Sequence, residues 1–168
     1  MIIPYFKSLR KKSSMPRPNF LAPALLLAIG NDGRQDDGLG WAFGQATEAN
    51  KDFQGEVVYR YQLQIEDALL LAEYPTVIFV DASREDLPAG FELAPLQPSA
   101  HFGVTTHQLS PATVLALAER LYEARPQSFL LQIAGVEWEL QRGLSERGRQ
   151  HLTKALAEFD RFHLHTNR

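Results

Sequence analysis

The 168-residue chain contains no cysteine, and that absence removes three chemistries at once. No disulfide framework, no thiolate metal ligand and no cysteine nucleophile is available. Any metal must therefore sit on histidine and carboxylate. Long apolar runs are missing too: nothing approaches the roughly 20 consecutive apolar residues of a membrane span. Nor is there a phosphate cradle. The glycine-rich segment "GNDGRQDDGLG", Gly30 to Gly40, has neither G-x-G-x-x-G spacing nor a terminal Gly-Lys-Ser/Thr, and its three aspartates would repel an anion.

Positive charge is scarce outside the first 18 residues. These hold Lys7, Arg10, Lys11, Lys12 and Arg17 with no acid, so the net charge of -3 leaves -8 on the rest of the chain. An acidic body argues against nucleic acid as a partner, because phosphate binding needs clustered lysine and arginine on one face. Residues 1–18 read as a disordered basic extension, with Met15 as a second candidate start. The basic start followed by "NFLAPALLLAIG" has features of a secretory signal, but cleavage there would remove the strand behind the glycine loop.

What remains, with 45% hydrophobic residues overall, suits one core. Residues 22–162 are expected to form a single domain and 163–168 a frayed tail. Ala24 to Ile29 is a continuous apolar run ending at Gly30, as a strand buried on both faces would be. Leu39, Ala42, Phe43 and Ala46 recur at helical spacing over about Gly38 to Ala49. "EVVYRY" (56–61) reads as a second strand, "EDALLLAE" (66–73) as a short helix, and "TVIFV" (76–80) as a third strand with Asp81 at its carboxyl end. Residues 82–106 form a Pro- and Gly-rich excursion with one short strand near Phe91 to Leu96, the expected place of peptide recognition. Ser110-Pro111 supplies an N-cap and first-turn pair for a helix whose apolar stripe is Val114, Leu115, Leu117, Ala118 and Leu121. "SFLLQIA" (128–134) is another buried strand. Ser145 caps a last helix carrying Leu152, Ala155, Leu156 and Phe159 at i, i+3, i+4 and i+7. Alternating strands and helices predict an α/β fold, a three-layer α/β/α sandwich around a mostly parallel, twisted five-stranded sheet.

Ligands in such sheets bind beyond the carboxyl ends of the strands. Three polar positions meet that condition: the Asp36-Asp37 pair after the first strand, Asp81 after the third, and His107 ahead of the Ser110 helix. Each has a plainer use, as helix cap, turn residue or surface histidine. Together they make a carboxylate and imidazole set suited to a divalent ion such as nickel or zinc. His101 sits in the excursion, within reach of a substrate. His151, His163 and His165 read as surface and tail residues.

"AIGNDGRQDDGLG", "VIFVDA", "THQLSP" and "IAGVEWELQRGLS", in this order, resemble the hydrogenase maturation proteases, the endopeptidases that trim the C-terminal extension from the large-subunit precursor of nickel-iron hydrogenases. The likeness runs from about Ala24 to Phe159. It implies that Asp37, Asp81 and His107 are the metal ligands, that nickel is the metal, brought by the substrate, and that zinc or cadmium can substitute. It implies catalysis by Asp36, Asp37 and Asp81, with either metal-activated water or Asp36 or Asp81 as general base. It further implies a cytoplasmic monomer whose partner is that precursor, with neither nucleic acid nor membrane involved. Asp37 stands where many members carry glutamate, and "YQLQIED" replaces a Gly-Thr-x-Gly segment, which suggests the branch serving bidirectional hydrogenases. A nickel-binding accessory or chaperone protein without proteolytic activity is the alternative.

Overall fold

The computed structural model describes residues 20–99 and 109–164. Five strands and four helices follow one another as β1 (Ala24–Ile29), α1 (Leu39–Ala49), β2 (Gly55–Arg60), α2 (Asp67–Leu71), β3 (Thr76–Ser83), β4 (Phe91–Pro95), α3 (Pro111–Tyr122), β5 (Gln127–Ala134) and α4 (Glu146–Leu164). The strands form one sheet in the order β2-β1-β3-β5-β4, parallel except for the edge strand β4, which runs against β5. This is the expected α/β/α sandwich.

Alternation along the buried strands divides the core into two layers. Leu26, Ala28, Ile78, Val80, Leu131 and Ile133 point to one face, where Leu39 and Phe43 of α1 and Ala155 and Phe159 of α4 cover them. Leu25, Leu27, Val77 and Phe79 point to the other, under Ala68 and Leu71 of α2 and Val114, Leu115 and Ala118 of α3. Both faces are apolar, so β1 and β3 read as unbroken hydrophobic runs rather than alternating ones.

Several elements differ in extent from the sequence reading. β3 continues to Ser83 because Asp81, Ala82 and Ser83 pair with Gln132, Ile133 and Ala134 of β5, whereas its pairing with β1 stops at Val80. Asp81 therefore lies inside a strand that has lost one neighbour. Leu121, expected in the stripe of α3, is 54% exposed. α4 runs to Leu164, two residues into the expected tail. The extension over 1–18 and the remainder of the tail lie outside the described residues.

The chain reverses its winding between β1 and β3. From β1 it moves outward to β2 through α1 on one face, then returns past β1 to β3 through α2 on the other. At such a switch point the two departing loops separate and leave a crevice at the carboxyl ends of the strands.

Candidate active site

Both of those strand ends carry an aspartate. The loop after β1 turns at Gly30, whose φ of 144° is closed to side chains, and a Cβ there would lie 2.0 Å from the Asp37 carbonyl oxygen. With no side chain in the way, the loop folds back on itself. The Asn31 N–H donates to the Asp37 carbonyl at 3.0 Å, and Gln35–Gly38 form a single 3-10 turn.

The two neighbouring acids of this turn then go separate ways. Asp36 is fully buried. Its Oδ2 accepts from Val136 N at 2.8 Å, Glu137 N at 3.1 Å and the Ser145 hydroxyl at 2.7 Å, and its Oδ1 accepts from Ser145 N at 2.8 Å. Burial pushes this carboxyl up. The donors, led by the Val136 N–H and the Ser145 hydroxyl, outweigh it and hold the group below the usual range. The niche is cut to fit: a Cβ on Gly148 would come within 2.5 Å of Asp36 Oδ1. Ser145 in turn caps α4, its hydroxyl accepting from Gly148 N at 2.9 Å. Of the two uses open to Asp36, base or turn residue, these contacts are those of a structural tie.

Asp37 instead lines an open cleft of about 300 Å³ together with Asp81, Arg84, Tyr61 and Trp138. No described residue donates a hydrogen bond to its carboxylate. Burial raises its affinity for a proton, opposed by the charges of Arg34 and Arg84. For Asp81 burial is also the main cause, only the Ala82 N–H at 2.8 Å opposes it, and the charge of Asp37 adds to it, so this carboxyl is pushed up to about 7. The cleft thus holds two carboxylates whose hold on a proton is raised, one of them poised to exchange it near neutrality.

Aromatic rings form the walls. The Arg84 guanidinium lies over the Trp138 ring, 4.1 Å from its centroid. Opposite, Tyr61 is 65% exposed and packs on Trp41 at 4.8 Å, while the Trp41 indole donates to the Arg60 carbonyl at 3.1 Å. Sequence reading singled out none of these four. The first signal was available, since Arg84 follows Asp81 by three residues. Trp138 lies in "VEWELQ" beyond β5, and only the fold brings it to β3.

The described residues thus bring together Asp37 and Asp81 and set Asp36 apart. His107 and His101 lie outside the described residues, as does His165. Among the described residues no group of three metal-binding side chains occurs, so the cleft offers two oxygen donors of the expected three-residue set. His151, read as a surface residue, is half-buried, with its Nδ1 2.7 Å from the Ala134 carbonyl oxygen.

No protein-family model matches the chain, and no curated protein matches it in sequence. Solved structures do. An endopeptidase from Escherichia coli superposes with a TM-score of 0.66 at 20% identity, over 86% of this chain and 93% of that one. The [NiFe] hydrogenase maturation protease HycI from Thermococcus kodakarensis KOD1 gives 0.64 at 20% identity, over 86% and 92%. The hydrogenase maturating endopeptidase HybD from E. coli gives 0.62 at 21% identity, over 81% and 88%. The chain shares the fold of these proteins across nearly their whole length.

Proposed function

We propose that the chain is an endopeptidase that removes the C-terminal extension of a nickel-loaded [NiFe] hydrogenase large-subunit precursor. The observation that carries this reading is the pairing of Asp37 with Asp81 in one cleft, at the switch point of a sheet whose fold is shared with maturation proteases. Oxygen donors of this kind suit a borderline divalent ion when an imidazole completes the set. His107 is two residues from Leu109, and Leu109 lines the cleft.

In this reading the nickel is cargo of the substrate, approached by Asp37, Asp81 and His107 when the precursor binds, and zinc or cadmium can stand in for it. Asp81 is the proton-handling group. A carboxyl that titrates near pH 7 can accept a proton from the attacking water and return it to the leaving amide nitrogen as the C–N bond breaks. Asp37 is a ligand without that second role, and Asp36 holds the loop that presents it. The protein works as a monomer in the cytoplasm. Among the described residues no helix is long and apolar enough to cross a membrane.

The test is incubation of the chain with its cognate precursor, with and without nickel, following the loss of the tail by mass. Cleavage of the nickel-loaded precursor alone is the expected result. Tight binding of that precursor with no cleavage would favour the accessory or chaperone role instead. Asp37→Ala and His107→Ala should each abolish processing while leaving the circular dichroism spectrum unchanged, since neither residue belongs to an apolar stripe.

A further inference from the structure

Arg84 is the one cationic side chain among the described residues that line the cleft. It stands one residue beyond β3 and three beyond Asp81, and it is exposed. Its guanidinium carbon lies over the Trp138 ring, 4.1 Å from the centroid, a cation–π contact that holds the group at the cleft wall. The ion pairs found among the described residues belong to Arg60, Arg125 and Arg161, and none reaches Arg84. Its sequence neighbours Glu85 and Asp86 are exposed acids that do not pair with it either.

A guanidinium seated over an indole, with no ion-pair or hydrogen-bond partner among the described residues, can take a carboxylate through two parallel hydrogen bonds. The cleft needs such a group if its ligand is acidic. Asp37 and Asp81 would repel an incoming carboxylate, and Arg84, whose charge also acts on Asp37, is the cation on the cleft wall that offsets them. We propose that Arg84, held on Trp138, is a substrate-binding residue that takes a carboxylate of the peptide, from an acidic side chain or from the chain terminus. The proposal rests on the peptidase reading and names part of what that peptidase recognises.

Fluorescein-labelled peptides spanning the precursor's cleavage junction test it, used with the full chain. Four forms are needed: the natural acidic residues or their amide counterparts, each with a free or an amidated C-terminus. Binding of the peptides is read by anisotropy, and processing is read by mass on the nickel-loaded precursor. The wild type should bind at least one charged form about tenfold more tightly than the fully neutral form. Whichever neutralisation removes that preference identifies the source of the carboxylate. Arg84→Gln should erase the preference, bringing the charged forms to the affinity of the neutral one, and should raise KM for the nickel-loaded precursor. Arg84→Lys should recover part of it, because charge is kept while the fork and the stack are lost, and Trp138→Ala should weaken the charged forms alone.

Equal binding of all four forms by the wild type would overturn the proposal. So would an Arg84→Gln variant that binds all four forms as the wild type does but loses kcat on the nickel-loaded precursor, since that result would make Arg84 a modifier of Asp37 only. Discrimination among the peptides with no processing of the nickel-loaded precursor would remove the peptidase reading and leave the carboxylate subsite standing. Processing of that precursor with equal binding of all four peptides would do the reverse.

Discussion

Asp36 and Asp37 are chemically alike and adjacent, yet their surroundings give them opposite work. Asp36 accepts four hydrogen bonds in a dry niche, so truncation strands three backbone N–H groups and a hydroxyl. Asp36→Ala should lower stability by about 3 kcal/mol or more, measured by urea unfolding, because buried donors would lose a charged acceptor. The group's folded pKa lies below the ordinary aspartate value of 3.8. Its contribution is therefore present above about pH 4 and lost as pH falls through the folded value. Asp81 has the opposite sign. With a folded pKa of about 7 against the ordinary 3.8 of an unfolded chain, it holds a proton in the folded protein that the unfolded chain releases. That preference favours folding fully below about pH 4 and fades as pH rises towards 7. Thermal melts of the metal-free protein between pH 4 and 8 should show this loss, and Asp81→Asn should flatten that part of the profile. A profile that Asp81→Asn leaves unchanged would remove Asp81 as the neutral-pH group. None of this was legible locally. "QDDG" shows two equal acids, and the donors that separate them, Val136 to Ser145, lie a hundred residues away.

The elements themselves were read more easily, because local rules write them. The Ser110-Pro111 pair does start α3, with the Ser110 hydroxyl accepting from Thr113 N at 3.1 Å. The stripe of Ala155 and Phe159 does bury α4. What local rules could not give was the extent of β3, since its last residues are held by β5 alone, or the exposure of Leu121 in the last turn of α3. Helix ends also carry the predictions of this scale. α3 closes at Glu123 in the left-handed region, φ 54°, a conformation that costs a side-chain-bearing residue about 1–2 kcal/mol. Glu123→Gly should therefore stabilise the protein by about 0.5–1 kcal/mol after the added freedom of the unfolded chain is subtracted. α1 begins hard against the sheet. A Cβ on Gly40 would lie 2.1 Å from the Ile29 carbonyl oxygen and 2.7 Å from that of Val80. Gly40→Ala should cost about 1–3 kcal/mol as the helix start is forced outward. It should lower activity as well, because the same movement shifts the loop that carries Asp37. An active, fully stable Gly40→Ala protein would show that this seat does not hold the loop.

At the scale of the whole molecule, the cleft exists because the winding reverses between β1 and β3, which no single segment of sequence states. The alternation of strands and helices was enough to expect a parallel sheet. The order β2-β1-β3-β5-β4, which brings the ends of β1 and β3 side by side, had to be seen. Asp37 and Asp81 come from the loop after β1 and from β3, strands that only folding pairs, so an ion shared between them binds the folded state alone. Such a ligand at a hundred times its dissociation constant stabilises by about 2.7 kcal/mol. For a chain of this size that corresponds to roughly 5–10 °C in Tm. Supplied in excess, nickel should therefore raise the melting temperature of the isolated chain reversibly even without the precursor that carries it, with EDTA returning it. The rise at a fixed nickel concentration should be larger at pH 8 than at pH 6, because Asp81 must release its proton to bind and does so through about 7. Asp37→Ala and Asp81→Asn should each abolish the shift at both pH values. A shift that survives in both variants would place the ion elsewhere on the chain, and a shift independent of pH would exclude Asp81 from the ligand set.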